Sequence, residues 1–152
     1  MDYEQKLSEL YIDLPGLPLP KGTAVSAVAS GKFLFIDGCL PIADGKLVHK
    51  GRLGLDVTLD QGVQAARYAL IQGLSAVQQT AGSINKIKQI VRLTGFIATG
   101  GEFKDHDRVL EGAGQLLKQI FGSAGLHSRA AVGVASLPQG ASVSLSLIVE
   151  IR

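Results

Sequence analysis

One arginine opens the most informative stretch of this chain, HSRAAVGVASLPQGASVSLSLIVEIR, residues 127–152. Arg129 carries a permanently charged planar fork that grips a carboxylate or phosphate through two parallel hydrogen bonds. Its neighbours Ala130 to Ala135 are small and apolar and cannot neutralise it. The guanidinium therefore needs a partner from elsewhere: a carboxylate of the same chain in an ordinary strand-end ion pair, a neighbouring subunit, or a ligand. Two acidic residues are candidates for acid or base work. Asp37 stands with Gly38 and Cys39 where the apolar run FLFI breaks into Leu40-Pro41, and it reads as a strand-end acceptor or as part of a cleft lining. Glu111, in a helical stretch, lies near the face of Val109 and Ala113 and reads as exposed or as pointing inward or toward a neighbour.

Other chemistries lack their residues. His49, His106 and His127 are too scattered for a zinc site and only Cys39 could supply a thiolate, so no metal is expected and each histidine reads as a surface residue. Gly100-Gly101 has neither the lysine nor the spacing of a phosphate loop, and no other cofactor motif is present. With a net charge of +2, scattered basic residues and 5% aromatics, the chain shows no clustered basic face with stacking rings, so nucleic acid is not expected as a partner. No apolar run approaches the roughly 20 residues of a membrane helix, and the amino terminus does not read as a secretory signal. A single cysteine excludes an internal disulfide and agrees with a cytoplasmic setting.

At 152 residues the chain fits one domain. Tyr3, Leu7, Leu10 and Tyr11 have helical spacing, which predicts a short docking helix over 3–12, and prolines 15, 18 and 20 force an extended lead-in through residue 20. Strands are expected at 25–29 and 33–37 around the Ser30-Gly31 turn, and Asp44-Gly45 signals another short hairpin or an excursion through Val48. Thr58-Leu59-Asp60-Gln61 is a capping box that starts a helix running to Gly82. A strand over 86–97 should set Val91, Leu93 and Ile97 on one side and Ile90, Thr94 and Phe96 on the other. A second long helix is expected from about Phe103 to Phe121, and alternation from Ala141 to Ile151 marks the last strand. The order predicts an α+β domain with two helices on one face of a mixed sheet, leaving a face of serines and small residues for self-association.

The segments FLFIDGCLPI, DVTLDQGVQAARYAL, IVRLTGFI and SRAAVGVASLPQGASVSLSLIVEI, in that order, resemble the YjgF-like reactive intermediate deaminase (Rid) family, whose older label is "putative endoribonuclease". The match runs from about Leu19 to the carboxyl terminus. The resemblance implies a chorismate-mutase-like fold, a homotrimer whose sheets line a central barrel, and a ligand cleft at each subunit interface. It implies that Arg129 holds the carboxylate of a small metabolite, that the Ala131 backbone helps position a water that hydrolyses imines or enamines, and that Gly38 is the strand-end glycine of the cleft. Deaminating members carry a glutamate where this chain has Ser144, a cysteine at Ala131, a tyrosine near Ala24 and a serine at Asp37. A divergent subgroup with an added amino-terminal helix is indicated. Either Asp37 or Glu111 must substitute for the missing acid, or the chain binds a small acid without turning it over. Ribonuclease activity rests on the family label alone.

Overall fold

The computed structural model describes residues 2–18 and 22–152; the lead-in residues Leu19 and Pro20 lie outside them. The elements are α1 (Tyr3–Glu9), β1 (Ala27–Ser30), β2 (Phe33–Cys39), β3 (Ile42–Ala43), β4 (Lys46–Leu47), α2 (Leu59–Ala81), β5 (Ile87–Ala98), α3 (His106–Phe121), β6 (Ser128–Val134) and β7 (Val143–Ile151). Five strands form one mixed sheet in the order β1-β2-β7-β5-β6, and β3-β4 is the small hairpin at Asp44-Gly45. Only the β5-β6 pair is parallel, joined through α3; the other pairs are antiparallel.

Both long helices pack on one sheet face. Leu70, Leu74 and Val77 of α2 and Val109, Leu116, Leu117 and Ile120 of α3 are buried, as are Leu34, Ile36, Leu93, Ile97, Leu145, Leu147 and Val149 of the strands. Helix spacing on one side and period-two alternation on the other deliver these residues to a common layer. The Thr58 capping box forms in full, and Gly82 ends α2.

Four expectations need correction. The first helix stops at Glu9; Tyr11 takes a positive φ of 57° and is almost fully exposed rather than docked. In β5 a register shift between Ile90 and Arg92 puts Ile90 on the core side with Leu93 and Ile97. Helix α3 begins at His106, three residues later than Phe103, with Asp105 as its N-cap. The open sheet face carries more than small side chains: Val28, Phe33, Phe35 and Val132 are exposed there, beside Ser144 and Ser146.

Candidate functional site

Strand β6 is an edge strand and brings Arg129 to the helix side of the sheet. Its register pairs Arg129, Ala131 and Gly133 with Leu93, Gly95 and Ile97 of β5, and Leu93 and Ile97 point into the core. Successive side chains of a strand alternate faces, so Arg129, Ala131 and Gly133 look toward α3. Two carboxylates on α3 meet the guanidinium. Arg129 Nη2 donates to Glu111 Oε1 at 2.6 Å, and Arg129 Nε lies 3.5 Å from Asp107 Oδ1. Gly114 makes this approach possible: a Cβ there would stand 2.6 Å from Arg129 Nη1. The partner that Arg129 required is thus present within the chain, and Glu111 points inward to it rather than standing free.

The Arg129 hydrogen bond, and then one from Gln115 Nε2 at 2.8 Å, holds the Glu111 carboxyl below its ordinary value. Glu111 is therefore ionised at neutral pH and a poor general acid. The clasp is open to water on its acidic side. The Arg129 side chain is 22% exposed, against 42% for Glu111 and 79% for Asp107.

Beside the guanidinium is a hollow of about 500 Å3, lined by Arg129, Ala131 and Gly133 of β6 and by Lys104, Asp105, His106, Asp107 and Arg108 at the start of α3. His106 packs edge-on against Phe103 with centroids 5.4 Å apart. Its ring lies over Gly133, where a Cβ would come within 2.5 Å of Nε2. The three histidines are half-buried rather than surface residues. His49 pairs with Gln64 and His127 Nδ1 with the Gly125 carbonyl at 2.8 Å. Neither ring nitrogen of His106 meets a hydrogen-bonding partner among the described residues.

The remaining candidates lie elsewhere in the chain. Asp37 and Gly38 form the bulge of β2, where Gly38 has a φ of 70° and donates its N–H to Asp37 Oδ1 at 2.8 Å. They border a separate pocket of about 300 Å3 that also includes Ala24, Cys39 and Gln139. In the sheet order β2 and β6 are separated by β7 and β5, so at about 4.8 Å per strand Asp37 is roughly 14 Å from Arg129. Ser144 pairs with Phe96 on the open face, the face opposite Arg129. A single chain brings Arg129, Ala131 and Glu111 together and leaves Asp37, Gly38 and Ser144 apart from them. Burial pushes the Cys39 thiol up to about 12, which leaves it protonated and inert.

Asp107 and Lys104 are not among the site candidates of the sequence reading, which considers His106 only as a metal ligand and reads it as a surface residue. Asp107 and Glu111 are one turn apart on α3, a spacing that marks a paired acidic face; nothing in the sequence says that this face meets β6. Among the described residues no group of three or more His, Cys, Asp or Glu side chains could hold a metal, and no helix is long and apolar enough to cross a membrane.

Comparison with known proteins places the chain. The family model described as "YjgF/chorismate mutase-like, putative endoribonuclease" matches residues 4–151, a span that takes in α1 and the lead-in. Protein TCP17 of Trypanosoma cruzi is 37% identical over 147 residues, covering 96% of this chain and 92% of that protein. The crystal structure of Atu1372 from Agrobacterium tumefaciens is 37% identical with a TM-score of 0.90, covering 98% of this chain and 91% of that one. A Shewanella oneidensis structure described as a putative endoribonuclease is 32% identical with a TM-score of 0.94, covering 98% and 99%. At the level of fold alone, Escherichia coli TdcF, solved with bound serine, is 22% identical with a TM-score of 0.61, covering 91% and 92%. A mixed five-stranded sheet backed by two helices, a match over nearly the whole length and relatives above 30% identity lead to one conclusion: the chain belongs to the YjgF/chorismate mutase-like family.

Proposed function

We propose that this protein is a homotrimer that binds small carboxylate-bearing metabolites in clefts between its copies, with Arg129 as anchor, and hydrolyses imines or enamines of that class. The observation that carries the reading is the clasp at Arg129. Its guanidinium is mostly buried, is fixed against Gly114 and borders a hollow large enough for a small acid, yet both carboxylates that hold it remain substantially exposed. Exposed ion pairs contribute about 0–1 kcal/mol. A ligand carboxylate that makes two parallel bonds to the fork can displace them, because Asp107 and Glu111 recover water when they swing out.

The separation of Arg129 from Asp37, Gly38 and Ser144 supports a site shared between copies, since only a second chain can bring those groups to the hollow. The exposed phenylalanines of the open face suit burial against another copy. Serine bound to TdcF is a small molecule with a carboxylate, which fits the same ligand class. The hollow runs past Arg129 across Ala131 to His106, which leaves room for the water that hydrolysis needs beside a short acid. A reduced, buried Cys39 fits a cytoplasmic setting. RNA has no comparable support: the lining of the hollow contains no Phe, Tyr or Trp for a base to stack on.

Calorimetry with 2-ketobutyrate tests the anchor. Wild type should bind it, and Arg129→Ala should weaken binding at least tenfold, the loss expected for a charge-assisted pair of hydrogen bonds. An unchanged affinity in the variant removes Arg129 from the role.

A further inference from the structure

The hollow beside Arg129 holds a group that the family resemblance does not supply, and we infer that His106 is the proton-transfer residue of this site, taking the proton from the attacking water and returning it to the departing nitrogen. The inference rests on the imine-hydrolysis reading above and assigns it a residue. Three features of the structure converge on it. The ring is placed rather than loose: Phe103 packs against it, and the bare Cα of Gly133 admits it to the floor formed by β6. It borders the same hollow as Arg129 and Ala131. Its nitrogens meet no hydrogen-bonding partner among the described residues, whereas His49 and His127 each have one.

Among the groups of a single chain, His106 is also the one left after elimination. The groups that share the hollow with His106 from the turn before α3 and from its first turn are Lys104, Asp105, Asp107 and Arg108; Arg129 borders it from β6, and the uncharged Thr99 hydroxyl stands near Gly133 just past the end of β5. Asp105 is 3.9 Å from Arg108, and Asp107 is 3.5 Å from Arg129, so each carboxylate is already engaged with a cation. Within the same chain, Glu111 is kept ionised by Arg129, Asp37 is three strands away, and Ser144 turns its hydroxyl to the opposite face. Histidine is the side chain that readily both accepts and gives a proton near neutral pH.

The step balances without any further reagent. Water oxygen bonds to the iminium carbon as the C=N π pair moves to nitrogen, and an imidazole nitrogen takes the water proton. The imidazolium gives that proton to the amine nitrogen of the resulting carbinolamine. The C–N bond then breaks toward nitrogen while the hydroxyl proton passes to the imidazole and on to ammonia. One iminium and one water become one ketoacid and one ammonium.

The test uses the full chain, an imine generated in the assay from L-leucine by an amino acid oxidase, and the corresponding ketoacid as an unreactive ligand. His106→Gln should lower kcat about 100-fold while the ketoacid Kd stays within twofold. The limb on which wild-type kcat rises with pH should vanish in the variant. Gly133→Ala, which pushes the ring off its seat, should also lower kcat with ketoacid binding retained. Wild-type kcat in His106→Gln, or an unaltered pH limb, overturns the inference and leaves the imine reading standing. Ketoacid binding with no hydrolysis by the wild-type protein overturns both while sparing the Arg129 anchor, and loss of ketoacid binding by the wild-type protein would sink all three.

Discussion

Arg129 meets Asp107 and Glu111 one helical turn apart, so a ligand carboxylate must compete with the protein's own acids for the fork. Glu111 makes the shorter contact and is the stronger competitor. Replacing it by glutamine keeps its shape and removes its charge, so Glu111→Gln should bind 2-ketobutyrate severalfold more tightly at pH 7. Because Glu111 is 42% exposed, folding stability at that pH should change by no more than about 1 kcal/mol. The sign with pH follows from the direction of the shift. A carboxyl held below its ordinary value contributes stability that is present above the unfolded-state value, 4.5 for glutamate, and is lost as pH falls through the folded one. Acid unfolding curves of Glu111→Gln should therefore be flatter than wild type below that value. Weaker ketoacid binding in the variant would mean that Glu111 orients the arginine instead of competing with the ligand.

At the scale of elements, the distance between β6 and α3 sets how the guanidinium lies, and Gly114 governs that distance at the site. Gly114→Ala adds a helix-favouring residue worth about 1 kcal/mol, but its Cβ would stand 2.6 Å from Arg129 Nη1 and force the fork aside. The two effects fall on different observables. Thermal unfolding should shift little, while ketoacid affinity should drop; equal loss of both would show that the helix had moved as a whole. The elements themselves were legible because each is specified locally: the capping box at Thr58, Gly82 and Gly122 at helix ends, and alternation through β7. Arg129 was legible for the same reason, as a charge among small apolar residues. What could not be read is set by contacts between elements far apart in sequence. The Asp107–Arg129–Glu111 clasp and the seat of His106 over Gly133 exist only because α3 crosses β6, and the shift near Val91 depends on how β5 meets β7.

For the whole molecule, the open face of the sheet decides whether a shared site can form at all. Val28, Phe33, Phe35 and Val132 expose apolar surface on a face that the helices do not cover, and Phe35 is 46% exposed opposite Ile148 of β7. Burying such side chains yields about 25 cal/mol per Å2 of apolar area, and a charge placed among them must be desolvated without a partner, which penalises assembly by several kcal/mol. Phe35→Glu should thus sediment at one-third of the wild-type mass while keeping its fold, because the residue takes no part in the core between sheet and helices. Its effect on binding separates the two ways the site could be built. If Asp37, Gly38 and Ser144 of another copy complete the Arg129 hollow, the monomeric variant should lose ketoacid affinity although its Arg129–Glu111 pair is untouched, whereas full affinity in a monomer would confine the site to β6 and α3 of one chain. A wild-type protein that sediments as a monomer would contradict the trimer directly, since the exposed face would then be stable in water on its own.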